Sequence, residues 1–352
     1  MESVTLLSAV EQVAKHLRSE LLRGSLSGTM PGVNPLAKGL GVNHKTVRAA
    51  LRQLENEGLL VDQGRGLQRR ITLPSDHAPP VLRVGLLVSN SGSQDFMIEL
   101  WHQLERAGHT PFYPNKTLQD LGIDARRAAR LVRRTEADAW VVVSASREVL
   151  EWFAEQETPA FALAGRRTGL PIAGTGPDKI PVIAEVTRRL IALGHRRISA
   201  LCRRPIRLPQ PANTLRAFLA ELEAAGIATG DFNLPDWEES REGFERSLDS
   251  LFGPTPPTAL ILDEAYLYYA AYHYLARRGL RVPQDVSLVC TDGDSGFAWC
   301  QPSVAHFHWD QRPVIRRIVR WTSNVARGKE DKGQTLTKAE FVEGGTVGRA
   351  RG

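Results

Sequence analysis

The sequence is poor in cysteine and contains no long apolar run. Three cysteines stand among 352 residues, which is an odd number and too few for a disulfide framework, so we expect a reducing compartment, the cytoplasm. No apolar stretch approaches the roughly 18 residues that a membrane span needs. The first residues include Glu2 and Glu11 and lack the apolar core of a signal peptide. These absences argue against a small secreted protein and against a membrane protein.

Motifs of catalysis and of metal binding are missing as well. The sequence has no Walker phosphate loop, no Gly-x-Ser-x-Gly elbow and no Cys-x-x-Cys pair. Gly174-Thr175-Gly176 begins like a dinucleotide fingerprint, but Lys179 stands where the third glycine belongs. His306 and His308 would share one face of a strand, and such a pair more often packs or faces solvent than binds a metal. We therefore expect no enzymatic activity, no cofactor and no metal.

Positive charge is unevenly distributed along the chain. The net charge is +6, and residues 1–75 hold ten lysines and arginines against six acidic residues. Most of the excess therefore lies in about a fifth of the sequence. This asymmetry predicts a polyanionic partner for the N-terminal part of the chain.

A proline-rich segment at residues 73–80 divides the chain. It contains three prolines in eight residues, which fit neither a helix interior nor a central strand. We predict an N-terminal domain over residues 1–72, a linker over 73–80 and a larger domain over 81–352.

The N-terminal domain has the pattern of three helices and a hairpin. Apolar periodicity and glycine breaks predict helices over 8–23, over 35–40 and from Asn43 to Glu57, followed by a hairpin over 59–72. On the third helix, Lys45, Arg48 and Arg52 fall within about 60° opposite the apolar face. A basic helix that follows a glycine turn is typical of a helix-turn-helix, whose second helix enters the major groove. An ordinary solvated basic face is the alternative.

The motifs of this region resemble GntR-type winged-helix transcription factors. The resemblance rests on Met30-Pro31, on Leu40-Gly41-Val42-Asn43-His44-Lys45-Thr46-Val47-Arg48 and on Leu54-Glu55-Asn56-Glu57-Gly58-Leu59. It implies an α+β winged helix-turn-helix head that binds operator DNA. The candidate DNA-binding residues lie in the third helix and its cap and at the hairpin tip: Asn43, His44, Lys45, Thr46, Arg48, Gly64, Arg65 and Gly66. Arg48 could contact a guanine or a phosphate, and the sequence leaves both open.

The larger domain alternates apolar runs with helical patterns. This alternation predicts an α/β fold with parallel sheets, and its length predicts two lobes. The predicted strands cover residues 84–88, 140–143, 160–164, 198–201, 260–262 and 286–289. The predicted helices cover residues 96–107, 126–134, 180–193, 215–225 and 265–278.

Polar residues follow several of the predicted strands. Asn90 comes after the first strand, Asp263 after the fifth and Asp292 after the sixth. Parallel strands deliver ligand-binding groups from their carboxyl ends, and these side chains can hydrogen-bond to hydroxyls. Phe96 and Trp299 are aromatic residues that could cover the apolar face of a sugar ring. The alternative is that the polar residues only cap helices.

Two motifs of the larger domain resemble regulators of the LacI/GalR type. These are Leu193-Gly194-His195-Arg196-Arg197-Ile198 and Arg278-Gly279-Leu280-Arg281-Val282-Pro283. The resemblance implies a two-lobed sensor similar to periplasmic binding proteins, which binds a small polar effector such as a sugar and forms homodimers. It places Arg216 at the position of an effector-binding arginine. A GntR head on such a sensor is a known arrangement among arabinose-type regulators.

We therefore predict a dimeric, ligand-responsive transcriptional regulator, in the first place a repressor, that binds double-stranded operator DNA and has no membrane association. The main alternative is a DNA-binding protein whose larger domain only dimerises and binds no ligand. An α/β enzyme with a DNA-binding head is a third possibility, which the missing catalytic motifs disfavour.

Overall fold

The structure is a computed structural model that describes residues 8–22, 26, 28–64, 67–72, 80–90 and 94–351. The chain forms two compact units. One consists of residues 1–84, 98–111 and 319–331, and the other of residues 85–97, 112–318 and 332–352. Apart from Pro80, the predicted linker lies outside the described residues. The domain limits 1–72 and 81–352 stay a prediction.

The N-terminal segment is a small helical head with a two-stranded ribbon. Its elements are α1 (Ala9–Leu22), α2 (Val33–Leu40), α3 (His44–Asn56), β1 (Leu60–Val61) and β2 (Arg70–Ile71). The two strands are antiparallel, with Leu60 opposite Ile71. All of these elements except β2 contribute fully buried side chains to one core, among them Ala14, Leu17, Leu21, Ala37, Val47, Leu51, Leu54 and Leu60. The order of three helices and a hairpin confirms the prediction.

The turn between α2 and α3 is fixed by local chemistry. Gly41 ends α2 with a φ of 65°, a conformation that glycine adopts at low cost. Asn43 caps α3, and its side-chain oxygen accepts a hydrogen bond from the Thr46 backbone N–H at 2.8 Å. Val47, which begins the apolar face of α3, is fully buried. The predicted cap and the predicted amphipathic helix are both confirmed.

The first lobe of the larger domain contains a five-stranded sheet. Its strands are β3 (Arg83–Leu87), β4 (Thr110–Phe112), β5 (Ala139–Val143), β6 (Ala160–Leu163) and β7 (Ala173–Thr175), in the order β4-β3-β5-β6-β7. Strands β5, β6 and β7 pair in parallel. The helices are α4 (Gln94–Arg106), α5 (Ala125–Arg133) and α6 (Arg147–Ala154). Trp140 and Phe153 lie in the core of this lobe, which also contains Ala128 of α5.

The second lobe contains a six-stranded sheet. Its strands are β8 (Pro177–Asp178), β9 (Ile198–Leu201), β10 (Ala259–Leu262), β11 (Ser287–Cys290), β12 (Ala305–Trp309) and β13 (Thr337–Val342), in the order β8-β13-β12-β11-β10-β9. The helices of this lobe are α7 (Ile180–Ala192), α8 (Arg204–Arg207), α9 (Asn213–Ala224), α10 (Arg241–Leu251) and α11 (Ala265–Arg277). Helix α12 (Gln311–Ala326) follows β12 in the chain, and its Arg317 lies over the ring of Phe161 on β6 of the first lobe. A 3₁₀-helix covers Ser295–Trp299.

The predicted two-lobed α/β architecture is confirmed, with one departure from wholly parallel sheets. Strands β9 to β12 are parallel, whereas β13 is antiparallel to β12. Along β13, buried and more exposed residues alternate rather than forming an apolar run, which is typical of a strand that is covered unevenly. No helix in the described ranges is long and apolar enough to cross a membrane.

Candidate functional site

The solvent-facing side of α3 carries three exposed cations. Lys45, Arg48 and Arg52 are exposed, and in the described part of the chain none of them forms an ion pair with a carboxylate. Asn43 and His44 are also exposed at the start of the helix, while Thr46 is half-buried. The predicted DNA-binding residues of α3 therefore lie together on one accessible surface.

Other arginines of the head are used within the fold. Arg18 on α1 donates from Nε to Glu57 at 2.7 Å, and Arg69 pairs with Glu55. These two ion pairs connect the C-terminal end of α3 with α1 and with the start of β2. The basic face at the start of α3 differs from them because its charges remain available to a partner.

Gly64 and Leu67 flank the predicted hairpin tip. Gly64 has a φ of 102°, and its N–H donates to the Asp62 carboxylate at 3.1 Å. The Leu67 N–H donates to the Gly64 carbonyl at 3.2 Å. Arg65 and Gly66 lie outside the described residues, so their contact with DNA stays a prediction.

In the larger domain, polar residues at the ends of strands meet between the two lobes. A small cavity is lined by Ser89, Asn90, Gln119 and Ile123 from the first lobe and by Arg203, Pro205, Glu239 and Tyr266 from the second. Its volume is about 10 Å³, which is room for about one water molecule. We call this region the cleft.

The buried side chain of Arg203 lines the cleft. Arg203 follows β9, and its side chain is 11% exposed. Its backbone N–H and its Nε donate to the same oxygen of Asp263, at 3.0 and 3.2 Å. One terminal nitrogen pairs with Glu264 at 2.6 Å, and the other donates to the Ser89 hydroxyl at 3.2 Å. A single guanidinium therefore connects two carboxylates of the second lobe with a hydroxyl of the first.

Burial changes the proton affinity of the carboxylates in and around the cleft. Burial raises the pKa of Glu264 to about 7, although Arg203 opposes this shift. Burial also raises the pKa of Asp292 and of Glu239. For Arg203, burial disfavours the charged form, but the attraction of Glu264 and Asp263 outweighs it and raises the pKa. The second oxygen of Asp263 is buried and accepts no hydrogen bond within the described residues.

A second buried arginine, Arg207 of α8, supports the segment that precedes this helix in the chain. Arg207, 4% exposed, donates from Nε to the Cys202 carbonyl at 2.6 Å and from a terminal nitrogen to the Trp237 carbonyl at 3.0 Å. The Trp237 indole N–H donates to the same Cys202 carbonyl at 3.0 Å. This network fixes the backbone immediately before Arg203 and thereby orients Arg203.

The structure brings together only some of the predicted effector-binding residues. Asn90 lines the cavity, and Asp263 binds Arg203 at its edge. Asp292 is half-buried after β11, and Phe96 is half-buried on α4. Arg216 is exposed on α9, where it binds Asn213, and Trp299 is 89% exposed. Asn90 is the one predicted effector-binding residue among those that line the cavity. The roles of Phe96, Arg216, Asp263, Asp292 and Trp299 in effector binding stay predictions.

Several cleft residues escaped the sequence analysis. Arg203 comes two residues after β9, so the rule that selected Asp263 and Asp292 could have found it. Glu239 and Ile123 come from irregular segments that carry no periodic signal. Ile123 has a φ of 56°, which is unusual for a β-branched residue and marks a constrained backbone at the cavity wall.

Metal ligands do not cluster in the described ranges. No group of three or more histidine, cysteine, aspartate or glutamate side chains there could hold a metal ion. His306 and His308 both lie on β12, and the His306 ring contacts the Val304 carbonyl through Nδ1 at 2.8 Å.

Comparison with known families accounts for both parts of the chain. Residues 9–67 match the bacterial regulatory proteins of the gntR family, and residues 187–347 match the periplasmic binding protein-like domain. The chain therefore contains one segment similar to the gntR family and a second segment similar to the periplasmic binding protein-like domain. Both resemblances found in the sequence are thereby confirmed.

Curated relatives match about half of the chain. The HTH-type transcriptional repressor CytR of Escherichia coli is 26% identical over 178 residues, which make up 48% of this chain and 50% of the relative. The chain thus spans about half the length of the curated relatives that it matches. These relatives are named as transcriptional repressors.

Solved structures show the same two-lobed fold. The transcriptional regulator CelR in complex with cellobiose superposes with a TM-score of 0.60 at 18% identity, over 90% of this chain and 100% of that one. A LacI family regulator from Enterococcus faecium with bound ribose gives a TM-score of 0.58 at 15% identity, over 76% of this chain and 100% of that one. At these identities the similarity establishes the fold.

Proposed function

We propose that the protein is a ligand-responsive transcriptional regulator, whose head binds operator DNA and whose cleft binds a small hydroxyl-rich effector such as a sugar. The observation that carries the proposal is the exposed cationic face of α3, which lies within the segment that matches the gntR family.

The first turn of α3 is suited to the major groove. An α-helix fits this groove, and the residues at its start come nearest to the base edges. Lys45 and Arg48 lie within that first turn and a half, and the Asn43 cap fixes its backbone. Because both cations lack a carboxylate partner in the described part of the chain, binding of phosphates or bases breaks no ion pair.

DNA binding can be tested without knowing the operator. Duplexes that the full-length protein retains from a random-sequence pool provide the probe, and fluorescence anisotropy gives the affinity. We expect the double variant Lys45→Ala/Arg48→Ala to lose specific binding. Lys15→Ala, which removes an exposed lysine of α1, serves as the control and should bind like the parent. Equal retention of the selected duplexes by the double variant would contradict the assignment.

Effector binding is supported by the acceptor groups around the cleft and by the ligands of related structures. Asn90, Glu239 and the free oxygen of Asp263 can accept hydrogen bonds from hydroxyl groups. The two solved relatives described above contain cellobiose and ribose. Because a sugar cannot enter about 10 Å³, binding requires that the lobes separate and that Arg203 gives up at least the Ser89 hydroxyl. Preference of the effector for one lobe arrangement would then change DNA affinity, typically by 1–3 kcal/mol.

A thermal-shift screen with sugars and nucleosides tests the effector site. A cognate ligand should raise the melting temperature of the parent. In calorimetry, Asp292→Ala should bind that ligand at least about tenfold more weakly, because it removes a charged acceptor for hydroxyls. Unchanged affinity in this variant would show that Asp292 does not belong to the effector site.

A ligand-independent larger domain is the second candidate. It is favoured by Arg203, which lines the cleft and pairs with Asp263 and Glu264 without any ligand. On this alternative, no compound in the screen raises the melting temperature, and DNA affinity is the same with and without each compound.

Dimerisation belongs to the proposal, because operators of such proteins are commonly bound by two-fold pairs of heads. Light scattering should give about twice the chain mass of 38.9 kDa. A strictly monomeric protein at micromolar concentration would contradict this part. Repression, rather than activation, is proposed from the names of the curated relatives, and transcription assays with the selected operator would test it.

A further inference from the structure

Helix α5 of the first lobe carries a dense group of arginines. Arg126, Arg127, Arg130, Arg133 and Arg134 are all exposed, and we call them the arginine stripe. Residues 124–134 contain these five arginines and a single acidic residue, Asp124. The net charge of this short segment is therefore 5 − 1 = +4, the same as the 10 − 6 = +4 of residues 1–75.

The five side chains leave the helix in similar directions. At 100° per residue they fall within an arc of about 120°, and at 1.5 Å per residue they extend over about 12 Å of the helix axis. The opposite face is anchored, since Ala128 is fully buried in the core of the lobe. Because this face of α5 is packed in the core, the arginine stripe projects into solvent from a fixed helix.

The charges of the arginine stripe have no carboxylate partner within the part of the chain that the structure describes. In the described ranges none of the five guanidinium groups forms an ion pair with a carboxylate. Asp124 instead caps the helix and accepts from the Arg127 backbone N–H at 2.8 Å. Arg133 lies over the Trp152 ring at 6.0 Å, which leaves its charge in place. Like charges three and four residues apart destabilise a helix, so a bound polyanion would relieve a repulsion that the fold leaves in place.

We propose that the arginine stripe binds the phosphate backbone of duplex DNA, as a sequence-independent contact in addition to the one made by α3. The proposal rests on the proposed function in so far as DNA is the partner. Guanidinium groups bind phosphate oxygens through two parallel hydrogen bonds. The face formed by the stripe presents no apolar side chain between its arginines, which membrane insertion or a protein interface would require.

The test compares two triple variants of the full-length protein on long random-sequence duplex DNA. The stripe variant is Arg126→Gln/Arg130→Gln/Arg133→Gln. The matched control is Arg246→Gln/Arg277→Gln/Arg312→Gln, which removes the same charge from three exposed arginines that are each paired with a carboxylate. Anisotropy over a range of salt concentrations gives affinity and salt dependence, and circular dichroism verifies that both variants are folded.

The stripe variant should bind at least about tenfold more weakly at low salt. The slope of log K against log salt should become shallower by up to about 2.7, which is about 0.9 for each of three lost phosphate contacts. The control should differ from the parent by less than about twofold. Equal affinities and equal slopes for the two variants would overturn the proposal.

Further arms separate this proposal from the proposed function. In the Lys45→Ala/Arg48→Ala background, a further loss on adding the stripe substitutions supports the stripe, even if the head proves not to bind DNA. Loss of all random-duplex binding in the head variant, with a stripe variant that binds like the control, leaves the head assignment intact and refutes the stripe. Stripe-dependent binding to phosphatidylserine vesicles, with no effect on DNA, also refutes it in favour of a membrane surface.

Discussion

The start of α3 and the cleft use arginine in opposite ways. Arg48 is exposed and has no carboxylate partner in the described part of the chain. Arg203 has a side chain only 11% exposed and binds Asp263, Glu264 and Ser89. Water solvates the charge of Arg48, whereas two carboxylates stabilise the charge of Arg203.

This difference determines how each region can meet a ligand. A solvated guanidinium binds an anion without breaking any contact within the protein, so α3 is ready to bind as it stands. A buried charge must remain paired, since loss of one partner leaves the other charge uncompensated. A ligand of the cleft must therefore replace contacts that Arg203 already makes. An exposed arginine such as Arg48 therefore indicates a site that is open to a ligand. A buried and paired arginine such as Arg203 indicates a site whose contacts are already made within the protein.

Removal of Arg203 should have the largest effect. Arg203→Ala leaves Asp263 and Glu264 buried without their cation, and breaking a buried pair in this way costs about 3–5 kcal/mol. All seven tryptophans lie beyond residue 100, so tryptophan fluorescence during denaturant unfolding reports the larger domain.

Arg188→Ala is the matched control for this prediction. Arg188 pairs with Glu221 but its side chain is 60% exposed, and exposed pairs contribute about 0–1 kcal/mol. If Arg203→Ala were no more destabilising than Arg188→Ala, the cleft would be open and wet in solution, and the contrast with α3 would disappear.

Removal of Arg48 should leave stability unchanged but weaken DNA binding. If Arg48 contacts a base, Arg48→Ala should cost about 1–3 kcal/mol of binding free energy and relax the preference at one operator position. If it contacts a phosphate, the loss should be uniform across sequences, and the salt slope should decrease by about 0.9. Anisotropy on single-position operator variants distinguishes the two. A large loss of stability instead would mean that Arg48 has a structural role like that of Arg203.

Most of the fold could be predicted from the sequence, because its main elements carry strong periodic signals. The six apolar runs all became strands, and the run at 198–201 has the predicted bounds. The α3 helix was predictable from its cap and from its two faces. Strand β8 has two residues, and helix α10 is rich in charged residues, so neither has an apolar pattern strong enough to be seen. Strand β13 was missed because its pattern depends on pairing with β12.

The site was less predictable, since a side chain's environment decides its role. Asn90 and Asp263 could be predicted because each follows the carboxyl end of a strand, where parallel sheets deliver ligand-binding groups. Arg203 follows the same rule, but whether an arginine is buried and paired depends on Asp263 and Glu264, which are about 60 residues away along the chain. Glu239 reaches the cleft from a loop with no regular spacing. The local sequence is therefore sufficient to predict the exposed face of α3, but it is insufficient to predict which side chains pair inside the cleft.

The pH dependence of stability should also distinguish the cleft from the surface. The pKa of Glu264 rises from the ordinary 4.5 to about 7 because of burial. Between these values the folded protein binds more protons than the unfolded chain, so the contribution of Glu264 to stability falls as the pH rises through this window. The fall amounts to about 1.4 kcal/mol for each pKa unit.

Denaturant unfolding of the parent and of Glu264→Gln at pH 5 and at pH 8 measures this contribution, because the variant lacks the titrating group. The parent should lose stability relative to the variant on going to the higher pH. Glu343→Gln is the control, since a hydrogen bond from Arg189 lowers the pKa of exposed Glu343. A parent and variant with parallel pH profiles would show that Glu264 is solvated, as the groups of α3 are.

The smallest expected effect concerns Asn43, which combines a structural and a binding role on α3. Its side-chain oxygen caps the helix through the Thr46 N–H, and replacement of such a cap by alanine costs about 0.5–2 kcal/mol. Serine is about as good a cap as asparagine, so Asn43→Ser should preserve the protection of the α3 amides in hydrogen exchange, whereas Asn43→Ala should reduce it. The DNA affinities of the two variants then show whether the Asn43 amide contacts DNA. If both variants bind DNA equally weakly, the Asn43 amide itself contacts DNA. If only the alanine variant binds weakly, Asn43 acts by holding the first turn of α3, and the DNA contacts come from the exposed cations alone.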